Sequence, residues 1–223
     1  MQKPTLAYRS EMRIYVALVI VLLVLGFLVG WLNPADIKNQ IAPMMKELVR
    51  SVDSGGSLSW VQEFWRIFLH NAATATELSI FGLVFGIFPA YSMWINGLLS
   101  GYAVSLVVSE QGVPAWKTIV FGLLPHGVIE LAAIVWAAAL GIANGMAVIR
   151  AIARAFRRRL ETAGNRVDSA VNVQSPRRPL LFALLRTACS LPFIWGMLVI
   201  AALIESAITP HLLHWGIPNL KHH

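Results

Sequence analysis

The sequence holds one cysteine, Cys189, inside an apolar stretch. One cysteine excludes an internal disulfide framework and any finger-type metal site built on paired thiolates. Charge is also scarce. Asp, Glu, Lys and Arg make up 13% of the 223 residues, about half the share in an ordinary soluble domain. No Gly-x-Ser-x-Gly elbow, phosphate-binding glycine loop or His-Glu-x-x-His zinc pair is present, so the usual nucleophile, nucleotide and metalloprotease signatures are missing. There is no repeat of fixed period and no low-complexity tract. What is abundant is apolar: 57% of residues are hydrophobic and the mean hydropathy is +0.66. That excludes a disordered chain and argues against a soluble domain. It suffices for five membrane spans of about 20 residues each.

The few charges fall in blocks. Residues 1–13 carry Lys3, Arg9, Glu11 and Arg13, and residues 34–66 carry eight. Residues 150–186 carry eleven, of which nine are Arg, for a local charge of +7. The gaps between blocks predict an all-α, polytopic membrane bundle forming one domain over 1–223, with spans at about 14–32, 72–95, 97–110, 115–149 and 180–207. Asn96-Gly97 falls at the turn between the second and third spans. Pro125 should kink or break span four, and Pro192 should kink span five, because proline removes a backbone bond and clashes one turn back. Lys and Arg are depleted from translocated loops, so the Arg-rich loop 150–179 is expected in the cytoplasm. Five spans then place the N-terminus inside and the C-terminus outside. Residues 34–50 read as an amphipathic helix at the outer interface, and Ser54-Gly55-Gly56-Ser57 as a flexible turn. Arg154, Arg157, Arg158 and Arg159 read as a topology anchor that touches anionic lipid; nothing around them presents nucleic acid.

Ionisable groups at membrane depth cost about 2.5–3.5 kcal/mol each on insertion scales, so they should face inward and find partners. His126 and Glu130 lie four apart, on one face of a helix. Pro125 could start a half-helix whose free N–H groups suit an anion. Glu205 is the deep carboxylate of span five, and Asn71 enters from span two. These four form the expected buried polar cluster. It reads either as a hydrogen-bonded packing device, or as a divalent-metal site on His126, Glu130 and Glu205, or as a proton-transfer site. No catalytic residue is assigned. Gly82/Gly86, Gly97/Gly101 and Gly141/Gly145 each have the small-xxx-small spacing that lets helices approach closely, within the chain or across a homodimer. Gly26, in the apolar first span, is expected to tolerate a larger side chain better than Gly101.

An ordered set of segments resembles the stage II sporulation protein M family of five-span membrane proteins. They are FWRIFLHN at 64–71, FGLVFGIFP at 81–89, INGLLSGY at 95–102, LLPHGVIELAAI at 123–134 followed by Gly141, and AALIESAITP at 201–210. The Pro-His-Gly-x-x-Glu and Ile-Glu-x-x-Ile-Thr-Pro elements are the specific ones. Glu77 within span two, and Val128 where the family often has an aromatic residue, depart from its pattern. The resemblance implies a multi-pass protein of a prokaryotic inner or plasma membrane, without an accepted enzymatic activity. In spore formers such a protein is a scaffold for peptidoglycan-degrading partners during engulfment of the forespore.

Two functions follow as expectations. The first is a non-enzymatic scaffold or assembly protein that organises cell-wall remodelling partners through the segments 34–58 and 208–223 or the Arg-rich loop. Its partners would be membrane lipids and other membrane or cell-wall proteins. The alternative is a transporter or channel-like protein with a midplane ion or metal site at His126, Glu130 and Glu205. An intramembrane hydrolase lacks a recognisable nucleophile.

Overall fold

In the computed structural model the described residues are 4–38, 59–162 and 179–216. They are helical almost throughout and contain no strand. The elements are α1 (Pro4–Leu32), α2 (Trp60–Phe81), α3 (Ile87–Gln111) and the short α4 (Ala115–Lys117). A first π-helical turn (Thr118–Leu123) then leads into α5 (Leu124–Thr162). α6 (Pro179–Leu203) continues through a second π-helical turn (Ile204–Ile208) into α7 (Thr209–Gly216). Residues 34–38 are helical as well. The rest of the expected amphipathic segment, the Ser-Gly-Gly-Ser turn, most of the Arg-rich loop and the C-terminal tail lie outside the described residues. Four helical stretches are long and apolar enough to cross a membrane: Glu11–Leu32, Ile87–Glu110, Ala115–Arg157 and Leu180–Leu212.

Local chemistry sets the helix ends. α2 begins with a capping box: Gln62 N–H donates to Ser59 Oγ, and Ser59 N–H donates to Gln62 Oε1 at 2.9 Å. Two of the unpaired groups at the helix start are thereby satisfied. The break between the second and third helices falls at 82–86, not at Asn96-Gly97 as the sequence suggested. Gly86 takes a left-handed φ of +74°, which glycine adopts without a Cβ clash, and its N–H bonds the Gly82 carbonyl at 2.7 Å. Asn96 instead lies within α3, exposed, with its amide bonded to the Ser92 carbonyl one turn back. The chain stays helical through Pro192 and passes into a π turn at 204–208.

Glycine contacts fix how the helices run. A Cβ on Gly26 would strike the Trp94 carbonyl, one on Gly30 the Leu98 carbonyl, and ones on Gly97 and Gly101 the carbonyls of Leu23 and Phe27. Rising numbers in α1 meet rising numbers in α3, so these two helices are parallel. Gly82 and Gly86 meet Gly141, Ile142 and Gly145 in the same sense, which makes α2 parallel to α5. The structure therefore corrects the reading of Gly26 as a permissive site: it is in backbone contact with α3. The core lies along α5, where Ala133, Ala137, Ala138, Ala139 and Leu140 are fully buried beside Leu78, Met93, Ile194 and Leu198.

This arrangement gives the bundle two chemically distinct ends. One carries Arg150, Arg154, Arg157 and Arg159, the last turns of α5. The other carries the exposed Trp31, Trp60, Trp65, Trp116 and Trp215, residues that favour membrane–water boundaries. They are called the Arg end and the Trp end below.

Candidate functional site

The two π turns share a local cause. Each is followed two residues later by a proline, in Leu124-Pro125-His126 and Thr209-Pro210-His211. Proline has no N–H, and its ring crowds the carbonyl one turn back. A π turn shifts bonding to the carbonyl five residues back: Leu124 N–H bonds Ile119 and Thr209 N–H bonds Ile204. The helix thereby absorbs the proline and continues. The expected half-helix with free N–H groups at Pro125 does not form, since the chain remains helical through it. π turns of this kind recur at functional sites.

Beside these turns the sequence-predicted cluster assembles. His126 and Glu130 project from one face of α5, and Glu205 comes from the second π turn. One ligand atom from each of the three lies within 4.8 Å of the others. All three side chains are half-buried. Asn71 of α2 faces Glu130 within electrostatic reach. His126 Nδ1 lies 3.3 Å from Thr209 Oγ1, which in turn donates to the Ile204 carbonyl at 3.3 Å. The ion pair Arg66–Glu63 of α2 stands within electrostatic reach of Glu205. Thr209, Glu63 and Arg66 were not picked out from sequence as members of the site.

The cluster lies far from the Arg end. His126 precedes Arg150 by 24 positions in one helix, about 36 Å at 1.5 Å per residue. A hydrocarbon core is about 30 Å thick. With Arg150 near one boundary, His126 is near the other, next to Trp116, Phe121 and Trp215, whose rings pack edge to face or tilted.

A second polar network, which no sequence signal singled out, lies toward the Arg end. Asn144, almost wholly buried, donates to the Ser79 carbonyl and to Thr187 Oγ1, both at 2.9 Å. Arg186 donates to Asn144 Oδ1 at 2.8 Å. This ties α2, α5 and α6 together. Nearby, Arg150 pairs with Glu11 of α1 at 3.0 Å and reaches Tyr15. Arg154 caps the Arg150 carbonyl at 3.2 Å, while Arg157 and Arg159 are exposed. The Arg158 backbone is helical; its side chain is outside the described set.

The described residues thus form an all-helical bundle with four stretches long and apolar enough to cross a membrane. The chain belongs to the stage II sporulation protein M family, whose model matches residues 16–210, from the first span through Pro210. It is thus a membrane protein of a sporulation-related family. No curated protein and no solved structure matches the chain.

Proposed function

We propose that this protein is a membrane scaffold, which works by holding a second membrane protein alongside itself rather than by catalysis, with cell-wall remodelling proteins as the partners its family points to. The observation that carries this is Glu77. It is exposed on α2, one turn past exposed Ala73 and one turn before exposed Phe81, in an outward stripe that also includes Trp65, Leu69 and Val84. Its depth is fixed by the next residue, Leu78, which touches Gly141 inside the α5 span. A lone carboxylate on an apolar, outward face at that depth is costly against lipid. A partner helix with a basic or hydrogen-bond-donating side chain at the same level removes the cost.

The glycine contacts favour this reading over transport. They hold α1 on α3, and the 82–86 turn on α5, at backbone distance, which suits one rigid body better than two rocking halves. Exchange of Ala73 for a photoreactive residue tests the proposal in living membranes. Irradiation should yield an adduct with a different membrane protein, and Glu77→Leu should remove it while Glu77→Gln keeps part of it. No adduct, or an adduct only between copies of this chain, would overturn the proposal.

A further inference from the structure

We propose that His126, Glu130 and Glu205 form a binding site for a divalent first-row cation of the zinc type, placed at the Trp end and joining α5 to the second π turn. The site is independent of the scaffold reading and would stand if that reading failed.

Three lines of geometry meet here. The first is the donor set. One imidazole and two carboxylates, with ligand atoms within 4.8 Å of one another, are the nitrogen and oxygen donors that zinc and its neighbours accept. At metal–ligand distances of about 2.0–2.1 Å, tetrahedral donors lie about 3.3 Å apart, so side-chain rotation alone must close at most about 1.5 Å.

The second is the state of the imidazole. The Thr209 hydroxyl has one proton, and it goes to the Ile204 carbonyl. With that proton given to the carbonyl, Thr209 Oγ1 is placed to accept from His126 Nδ1 at 3.3 Å. A neutral ring that donates from Nδ1 keeps its lone pair on Nε2, which is the tautomer a metal on Nε2 requires. Ligating histidines typically donate their other ring N–H to an oxygen in this way, and the Asn71 amide lies within electrostatic reach of Glu130. The Thr209–Ile204 bond lies across the π turn that carries Glu205, so the same local distortion orients two of the three ligands.

The third is charge. Two carboxylates share a half-buried site with a neutral imidazole and an amide. The nearest guanidinium with a described effect on Glu205, that of Arg66, is paired with Glu63, whose charge opposes it. A doubly charged cation balances the pair of carboxylates, and three protein ligands leave a fourth position open toward the Trp-end surface.

The full chain, purified in detergent with a non-histidine affinity tag, is incubated with Zn2+, desalted and assayed for metal by mass spectrometry. Wild type and Glu110→Gln, altered at an exposed carboxylate where α3 ends, should retain about one zinc per chain. Glu130→Gln and Glu205→Gln should each lose it. Co2+ in place of zinc should give the visible absorption of a four-coordinate site in wild type, and in neither Glu130→Gln nor Glu205→Gln. Thr209→Val, which frees the imidazole proton, should keep the site with affinity 10–100-fold weaker. A chelator should lower the melting temperature of wild type and leave that of Glu130→Gln unchanged. Equal zinc content in wild type and Glu130→Gln would overturn the proposal. So would a wild-type melting temperature indifferent to the chelator, which would mark the cluster as hydrogen-bonded only.

Discussion

Asn144 shows how much one side chain can hold in a helix of alanines and glycines. Its amide reaches α2 and α6, and its oxygen receives the guanidinium of Arg186. Removing it leaves three partners without their bond, and an abandoned buried polar group costs about 1–3 kcal/mol. Asn144→Ala should therefore lower the melting temperature in detergent by several degrees. Asn96→Ala, which loses only an exposed bond within its own helix, should leave it within about a degree. Equal melting of the two variants would remove Asn144 from this role. Sequence alone did not point to Asn144, because its partners Ser79 and Arg186 lie far along the chain and Arg186 counted there only as the last member of the charged block 150–186. His126, Glu130, Glu205 and Asn71 were legible for the opposite reason. An ionisable group inside a long apolar run is conspicuous by itself, and the four-residue spacing of His126 and Glu130 puts both on one helix face. What sequence could not give was depth, which depends on where Arg150 sits relative to α1.

Helices meet in this protein chiefly where side chains are absent. Gly26 and Gly30 interlock with Gly97 and Gly101, and Gly82 and Gly86 with Gly141 and Gly145. Three of these four spacings were visible in the sequence; the Gly26/Gly30 pair was overlooked because large apolar residues surround it. The misplaced break at Asn96-Gly97 has a related origin. Glycine serves both to end a helix, as Gly86 does, and to admit a neighbouring backbone, as Gly97 does, and composition does not separate the two. Overpacking a core costs about 1–3 kcal/mol, and a carbonyl of a neighbouring helix cannot rotate aside as a side chain can. Gly26→Leu and Gly101→Leu should then be equally damaging in thermal unfolding. Gly196→Leu, with nothing within 4 Å of its added Cβ, should be close to wild type. Wild-type stability of Gly26→Leu would break the assignment of α1 to α3.

At the scale of the molecule, the separation of arginine from tryptophan sets an orientation. Positive residues stay on the cytoplasmic side, so the Arg end should be inside and the cluster at the Trp end outside. In a Cys189→Ala background, a membrane-impermeant thiol reagent on intact cells should label Glu110→Cys, exposed where α3 ends, and spare Arg157→Cys. The reverse pattern would invert the protein in the membrane. The helical, membrane-spanning character was legible from the long apolar runs between charges, since the length of such runs is set by the bilayer and not by tertiary contacts; the break at 82–86 was not, because no charge marks it.

The parallel contact between α1 and α3 also bears on the order of events during synthesis. Two helices that run the same way cannot be consecutive, and the chain from 33 to 86 must be made before α3 begins to arrive. At about 5–20 residues per second, α1 waits on the order of several seconds with its glycine stripe uncovered. For that interval the first helix has no partner of its own, and the ribosome-bound chain depends on the insertion machinery or on lipid to shield it.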